Sequence, residues 1–559
     1  MRVAAADAAR WEALLGSVDD EANVLGWAQA LTRDEGDFFP EGPLKHLHGH
    51  GLFDEFIPIS EGGRLDSVER LSGLFRVLAR RDLSTAVALG PCLLGGLPIW
   101  LEGSASTRRR AASILKEGQL LSLALTEEAH GTDLLANEVT AVVAPDGYRL
   151  AGTKWAINNA TRGAGICVLA SSRASGGVAG QGLFFLDRER VPHHTLATLP
   201  KFKTVGVRGV DISGLELKGA PVPLEDRVGS ETSGFETCLR TLHVTRMGCA
   251  AFSLGALDTC LRTTFRFARE RVLYGQPVWS MAHPRAVITA AAVDLYVCEA
   301  LVFAAQRAAH FTPAAVPWLA SCVKYWVPGS ACDAIADLAV ILGARHYLRE
   351  GPFSIFQKMQ RDAALVPLFD GSSVVNLEQL VLALSRRRPS ARGQSGMSGR
   401  FDIDASLPAL DLGAIPALPV EFDETLSQWS DAEDRAASVG GALGEELIRL
   451  TRHFAQSWAR VIAAAQGLSS ADRRTPRAFA LAREASVCTA AASCLAVWRF
   501  AAPLDAQLYS DPHWVRAALQ RLARQPARAD GFGVDDTVTE HVQRQGGSAQ
   551  WFSLWPVAT

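Results

Sequence analysis

The ten cysteines of this 559-residue chain form no CxxC pair and no regular framework, which argues against a disulfide scaffold. The N-terminus MRVAAADAARWE lacks the basic-then-apolar pattern of an export segment, so reduced thiols in a cytoplasmic protein are expected. No apolar run is expected to act as a transmembrane segment. Residues 247–257, for example, are small and apolar but are closed by Asp258, with Arg262 and Arg266 soon after, which suits a buried helix. The thirteen histidines include no H-E-x-x-H arrangement and no Cys/His cluster at zinc spacing, and His193-His194 reads as a solvated turn, so no metal is expected. A G-x-S-x-G elbow for serine hydrolysis is also absent. Nor is there a surplus of charge: 56 basic against 59 acidic side chains give a net charge of -3 and no reason to expect nucleic acid as a partner.

What is present is globular composition, 48% hydrophobic and 21% charged, in a chain too long for one core. Residues 1–120 read as an N-terminal helical domain: Trp27 and Leu31, then Leu74, Phe75, Leu78 and Ala79, recur at helical spacing, and Arg108, Arg109 and Arg110 open a further helical stretch as a solvated face. Residues 121–235 change texture. Short runs at 139–143, 148–155, 166–170, 182–186 and 212–217, broken by Gly, Asp or Pro, predict a central β domain. Helical texture returns over 236–385, with Phe265, Ala268, Val272 and residues 286–300 on apolar faces. Residues 386–429, rich in Arg, Ser, Gly and Pro, read as a linker. Over 430–559, Leu447, Leu450, Phe454, Trp458 and Val461, and then Val487, Ala491 and Leu495, predict three or so further helices before an extended polar tail after Pro526 that carries Trp551 and Trp555. The fold class expected is α+β.

The chain is organised around residues 121–160. An apolar run leads into the small-residue loop 126–133, and two strand-like runs follow, separated by Pro145-Asp146-Gly147. Thr126, Gly131 and Thr132 place hydroxyls and backbone N–H groups in a short bend, a composition that suits a phosphate or the edge of a flat heterocycle as well as it suits an ordinary surface turn. His130 lies inside the same loop.

The pattern Leu-Thr-Glu-x-x-x-Gly-Thr-Asp at 125–133, with Gly152-Thr153-Lys154 and Ile157-Asn158-Asn159 some twenty residues on, resembles the two flavin-contacting segments of acyl-CoA dehydrogenases. Two more blocks extend the resemblance over residues 20–385. Phe267-Ala-Arg-Glu-Arg271-Val-Leu-Tyr274-Gly275 is similar to a segment whose Arg reaches the flavin pyrophosphate of a neighbouring subunit, a task for which a guanidinium fork is suited. Read alone, Arg271 fits a surface ion pair. Ile341-Leu-Gly343-Ala344, Gln360-Arg361-Asp362-Ala363 and Leu368-Phe369-Asp370-Gly371-Ser372-Ser373 resemble the family's closing segments, in which a Glu removes the α proton of a thioester. The resemblance assigns that role to Asp370, which read alone is a turn residue beside Gly371.

The resemblance implies FAD as cofactor, held by Thr126, Gly131, Thr132, Asn158, Arg271, Tyr274, Gly343 and Ser372. It implies Arg246 near the acyl pocket, an acyl-CoA or acyl-carrier-protein thioester as substrate, a homodimer or homotetramer, and a flavoprotein electron acceptor. Asp in place of Glu withdraws the carboxylate by roughly 1.5 Å, and misplacement of a base by about 1 Å costs about 10²-fold. Thr245, at the position where some relatives carry an alternative base, has no carboxylate. Further departures are Ala156 in place of the usual aromatic, with Trp155 one position earlier, Asn158 in place of Thr, Val340 in place of Gln, Ala344 in place of the second Gly, and Ala282-His283 where a Gln is usual. Three readings stay open: the thioester dehydrogenase; an oxidase, monooxygenase or nitroalkane-type enzyme on the same scaffold; and a non-catalytic binding or assembly protein.

Overall fold

Apolar residues alternating along short runs line one face of a strand, and in the middle of the chain they build one large sheet. The computed structural model describes residues 2–172, 178–386, 397–419, 421–469, 471–501, 508–524 and 535–559. The sheet strands are β1 (Leu120–Ala124), β2 (Thr140–Ala144), β3 (Gly147–Asn158), β4 (Gly163–Ser171), β5 (Gln181–Asp187), β6 (Leu196–Leu199), β7 (Ile212–Val222) and β8 (Arg227–Val228). Their order is β6-β7-β3-β2-β4-β5-β8, with β1 running parallel to β4.

Ile166, Val168 and Ala170 of β4 share a face two residues apart. They join Leu150, Phe184, Leu186, Leu215 and Leu217 in one buried cluster. Each such large side chain contributes about 1.5–3 kcal/mol on burial. Cys167 and Leu169 are buried on the opposite face of β4, so this strand reads as a continuous apolar run. The helix Leu83–Glu102 approaches β1 closely at Gly95, where a Cβ would lie 2.5 Å from the Ser122 carbonyl oxygen. The turn between β2 and β3 is as short as Pro145-Asp146-Gly147 suggests, since Ala144 pairs with Gly147. Four of the five expected strand runs lie wholly in strands, and the fifth, 139–143, overlaps β2, which begins at Thr140. β6 and β8 carry too few alternating residues to be recognised from sequence, and β1, buried along its whole length, shows no alternation.

The described residues form two compact units, one of Glu21–Asp66 with Ser84–Thr245, which contains the sheet, and one of Met1–Asp20, Ser67–Leu83 and Arg246–Thr559, which is helical. The boundary at residues 245 and 246 falls inside a single 37-residue helix, Gly234–Glu270.

The helical unit is built around Ala282–Phe311, in which every residue from Val287 to His310 is buried. A helix apolar on all sides must be covered on all sides. Val316–Leu342, Val68–Arg81, Pro476–Phe500 and Pro512–Ala523 pack against it. Asp294 of the central helix accepts two hydrogen bonds from Arg521, at 2.9 and 2.8 Å, which ties the helices after residue 430 to the bundle. Among the described residues, four α-helices follow the linker before residue 525: Trp429–Val439, Gly441–Ala465, Pro476–Phe500 and Pro512–Ala523.

Two expectations are corrected. Four helical stretches, Leu83–Glu102, Ala282–Phe311, Pro313–Tyr347 and Pro476–Phe500, are long and apolar enough to cross a membrane by length and composition, whereas no such segment was expected. Charged, His and Pro residues along them break each stretch into shorter apolar runs. The apolar window is 94% buried inside the protein in Ala282–Phe311 but only 44% in Pro313–Tyr347.

The region after Pro526 is not an extended polar tail. Residues 525–534 lie outside the described residues, but Asp536–Gly546 is a helix, and Trp551, Phe552, Leu554, Trp555 and Val557 are buried. Trp551 stacks on the Arg76 guanidinium at 4.4 Å and donates Nε1–H to Glu12 at 2.9 Å, while Arg76 donates to the Phe552 carbonyl at 2.8 Å. The Arg387-Arg388-Pro389 part of the expected linker lies outside the described residues. Beyond it, Arg400 is fully buried and donates to Asp423 at 2.6 Å.

Candidate functional site

In the sheet unit the loop after β1 is pinned from within. Glu127 accepts backbone N–H bonds from Glu138 at 2.7 Å and Val139 at 3.0 Å, and a bond from Lys154 Nζ at 2.8 Å. Lys154 also donates to the Leu125 carbonyl at 2.9 Å and to Asn137 Oδ1 at 2.5 Å. Burial brings the Lys154 ammonium down to about 8, with Glu127 pulling in the other direction. Burial disfavours the Glu127 carboxylate, but the Lys154 and backbone hydrogen bonds outweigh it and hold the group below its ordinary range. Sequence alone gave no reason to single out this pair.

Held in this way, the loop presents its small residues outward. The Thr126 carbonyl accepts the Trp155 N–H at 2.9 Å, while its hydroxyl has no hydrogen-bond partner among the described residues. Gly131 has φ 50 and open space where a Cβ would stand, and Thr132 is exposed with its hydroxyl unengaged among the described residues. Glu127, His130 and Glu138 bring possible ligand atoms within 4.8 Å of one another. Glu127 is already committed to Lys154 and two N–H groups, so the trio carries no metal assignment.

Between Lys154 and Ile157 the register of β3 against β7 shifts, and Ala156 adopts φ 54. This bulge leaves the Trp155 ring against Phe202, with centroids 5.4 Å apart. The Nδ2 of Asn158 donates one bond, to the Val87 carbonyl at 2.9 Å, and its Oδ1 is buried without a hydrogen-bond partner among the described residues. Asn159 likewise donates to Ala88, at 2.8 Å. The Thr245 hydroxyl is bonded back to the Leu242 carbonyl at 3.3 Å.

In the helical unit, side chains converge on the segment 366–372. Arg246, 1% exposed, donates Nε–H to the Asp370 carbonyl at 3.2 Å, and its Nη1 has no hydrogen-bond partner among the described residues. One turn along the same helix, Cys249 Sγ lies 3.3 Å from Asp370 Oδ2. Lys324, fully buried, donates to the Val366 carbonyl at 2.5 Å and stands 5.1 Å over the Phe369 ring.

Burial governs all three titratable partners of the aspartate. It lowers Arg246 to about 10 against the pull of Asp370 and Cys249, lowers Lys324 against the pull of the same two groups, and pushes the Cys249 thiol well up, with the Asp370 charge adding to it. Cys249 is therefore a thiol that donates and Asp370 is the acceptor. Asp370 itself sits at φ 54 and Gly371 at φ 87, where a Cβ would lie 2.9 Å from Arg246 Nη2. Asn376 Nδ2 closes the segment by donating to the carbonyls of Gly371, at 2.8 Å, and Ser372, at 2.9 Å. Cys249 and Lys324 escaped sequence reasoning. The only available signal was the three-residue spacing from Arg246 to Cys249, which puts both on one helix face.

The remaining expected residues of this unit lie on exposed backbone. Arg271 ends the helix Gly234–Glu270 and has no ion pair among the described residues. Val272–Leu273 pairs with Gln276–Pro277 in a hairpin whose tip is Tyr274 (φ 52) and Gly275 (φ 80), and Tyr274 is 95% exposed. Gly343 has φ 58 and open space around it. Exposed apolar residues fall in these same segments: Val272, Val340, Tyr347, Leu348, Leu368 and Val374.

Residues 122–220 match the family model described as "Acyl-CoA dehydrogenase, middle domain", and residues 232–384 match "Acyl-CoA dehydrogenase, C-terminal domain". A cyclohex-1-ene-1-carbonyl-CoA dehydrogenase of Geobacter metallireducens is 28% identical over 349 residues, 62% of this chain and 90% of the relative. Among solved structures, the butyryl-CoA dehydrogenase from Megasphaera elsdenii superposes with a TM-score of 0.61 at 23% identity, covering 67% of this chain and 96% of that one. The prolyl acyl carrier protein oxidase AnaB superposes with a TM-score of 0.56 at 19% identity, covering 62% and 91%.

Proposed function

We propose, from the matches of its middle and C-terminal parts, that the chain is a divergent member of the acyl-CoA dehydrogenase family: an FAD-dependent oxidoreductase that removes hydrogen across the α,β bond of an acyl-CoA, with Asp370 as the α-proton base. The observation that carries this reading is the fixed carboxylate: Asp370 is held through its carbonyl by Arg246 and through Oδ2 by Cys249.

The donor groups present suit FAD. The unengaged hydroxyls of Thr126 and Thr132 and the open backbone at Gly131 would hold the flavin in the sheet unit. Arg271, with no ion pair among the described residues, would take the pyrophosphate of a flavin held by a neighbouring subunit, and Tyr274, Gly343 and Ser372 would be further cofactor contacts. Asn158 has one amide N–H committed to Val87 and would offer the second to the cofactor. When bound, FAD supplies the acceptor for the β hydride. The chain's own part is proton chemistry: an Asp370 carboxylate oxygen takes the α proton, and Arg246 and Lys324 keep the surrounding backbone carbonyls bonded so that the base does not have to order them.

The exposed apolar residues at 272, 340, 347, 348, 368 and 374 and the unengaged Arg271 support assembly into a homodimer or homotetramer. The ten cysteines, none in a disulfide, support a reducing compartment, the cytoplasm. A flavoprotein is the electron acceptor this reading expects.

The test is anaerobic addition of a panel of acyl-CoA thioesters, and of the same acyl groups on a carrier protein, to the purified flavin-containing protein. Bleaching of the visible flavin band by an acyl-CoA is the expected result. Bleaching only by a carrier-protein thioester would move the substrate to that class, which the likeness to a prolyl carrier-protein oxidase favours as the second reading. Rapid reoxidation by oxygen would indicate an oxidase. Failure to take up flavin at all would overturn the proposal.

A further inference from the structure

Asp370 is one methylene shorter than the glutamate that the resemblance places there, yet its carboxylate does not hang free. We propose that Cys249 is a positioning residue matched to this shorter base: its buried thiol donates to Asp370 Oδ2 and fixes the carboxylate, and its bulk reserves room for aspartate and not glutamate. This inference rests on the reading of Asp370 as the base.

Three observations support it. The Sγ to Oδ2 distance is 3.3 Å, a normal thiol-to-carboxylate hydrogen bond, and Cys249 is only 3% exposed. Arg246, three residues earlier on the same helix face, holds the main chain of the same aspartate, so one helix face grips both ends of the residue. Asp370 also occupies the left-handed region at φ 54, where aspartate is tolerated better than a longer side chain. From that backbone the carboxylate has, among the described residues, one side-chain neighbour that donates to it, the thiol of Cys249. A glutamate in the same conformation would extend roughly 1.5 Å farther, into space the sulfur already fills.

The experiment measures single-turnover flavin reduction and KM in the flavin-loaded protein for Cys249→Ser, Cys249→Ala, Asp370→Glu and the double variant Asp370→Glu/Cys249→Ala. Cys249→Ala is expected to lower the reduction rate by about 10- to 100-fold with KM within about twofold, while Cys249→Ser, which still donates, stays within several-fold of wild type. Asp370→Glu is expected to be slow, and the double variant to recover about tenfold or more, because removing the sulfur makes room for the longer acid. Equal rates for wild type and Cys249→Ala, or a double variant no faster than Asp370→Glu, would overturn the inference.

A second readout needs neither flavin nor substrate. In flavin-free protein, the thiolate ultraviolet absorbance assigned to Cys249 by its loss in Cys249→Ser is followed against pH. Neutralising the neighbour in Asp370→Asn should let the thiol ionise at lower pH than in wild type, and no difference would mean the contact is absent. Wild-type turnover in Asp370→Asn would instead remove the base reading while leaving the contact to be judged by the thiol titration.

Discussion

Cys249 Sγ lies 3.3 Å from Asp370 Oδ2, and one helical turn earlier Arg246 Nε lies 3.2 Å from the carbonyl oxygen of the same aspartate. A residue held at both its carboxylate and its main-chain carbonyl is pre-organised before any substrate arrives. Measurable consequences follow from what holds it and from the buried pairs inside each unit.

Gly371 should not accept a side chain. Its φ of 87 costs an L-residue about 1–2 kcal/mol, and a Cβ would stand 2.9 Å from Arg246 Nη2, on the guanidinium whose Nε anchors Asp370. Gly371→Ala is expected to lower unfolding stability by that amount in urea melts and to reduce the rate of flavin reduction by about 10-fold or more through displacement of the base. Wild-type rates in a destabilised Gly371→Ala protein would separate the turn from the chemistry.

Lys154 should titrate far below an ordinary lysine. Its folded pKa is about 8 against 10.5 in the unfolded chain. Between those values the folded state has released a proton that the unfolded state still holds, so this group adds stability as pH rises from about 8 toward 10.5, and below about 8 its burial detracts. Heteronuclear NMR of the lysine Nζ or Cε resonances should show one lysine titrating near the lower value and missing from Lys154→Met. If every lysine titrates together at high pH, the buried pair is misassigned.

Glu127 is the other half of that pair. Removing one partner of a buried ion pair costs about 3–5 kcal/mol, and Glu127 also anchors the N–H groups of Glu138 and Val139. Glu127→Gln is therefore expected to loosen the loop that carries Thr126 and Thr132 and to lower flavin occupancy, measured by the ratio of visible to protein absorbance. Unchanged occupancy would show that the loop's anchoring does not govern the cofactor.

Asp294 and Arg521 join the central helix to the helices after residue 430 by two hydrogen bonds. Asp294→Asn should destabilise the helical unit by about 3–5 kcal/mol, whereas a paired replacement by apolar residues of similar volume should cost much less. Equal losses in the single and paired variants, read from denaturant midpoints, would mean the charges themselves are what the junction requires.

How much of this was legible in sequence depends on whether the signal is local. Ile166, Val168, Phe184 and Leu186 alternate, and their strands were readable. Leu120–Ala124 is buried on both faces and shows no alternation, so it read only as an apolar run. Trp551 and Trp555 looked like tail residues because their partners Arg76, Glu12 and Phe303 lie hundreds of positions away. The apolar content of Ala282–Phe311 was seen but its span was not, since His, Arg, Asp and Glu along it interrupt the run that the fold then buries whole. Asp370, Arg271 and the loop at 126–132 were recognisable by their motifs. Cys249 was not, because its importance comes from a residue 121 positions downstream, and neither was the bond from the Asn158 amide to Val87, whose carbonyl lies 71 positions upstream.

The most direct measurement is stopped-flow flavin reduction by an acyl-CoA in Asp370→Asn protein shown to retain full flavin, alongside exchange of the substrate's α hydrogen with deuterated solvent. A positioned base contributes about 10²–10⁴-fold, so the account predicts that both reduction and α exchange fall by at least that lower factor while thioester binding persists. Reduction and exchange at wild-type rates in Asp370→Asn would contradict it and remove Asp370 from the chemistry.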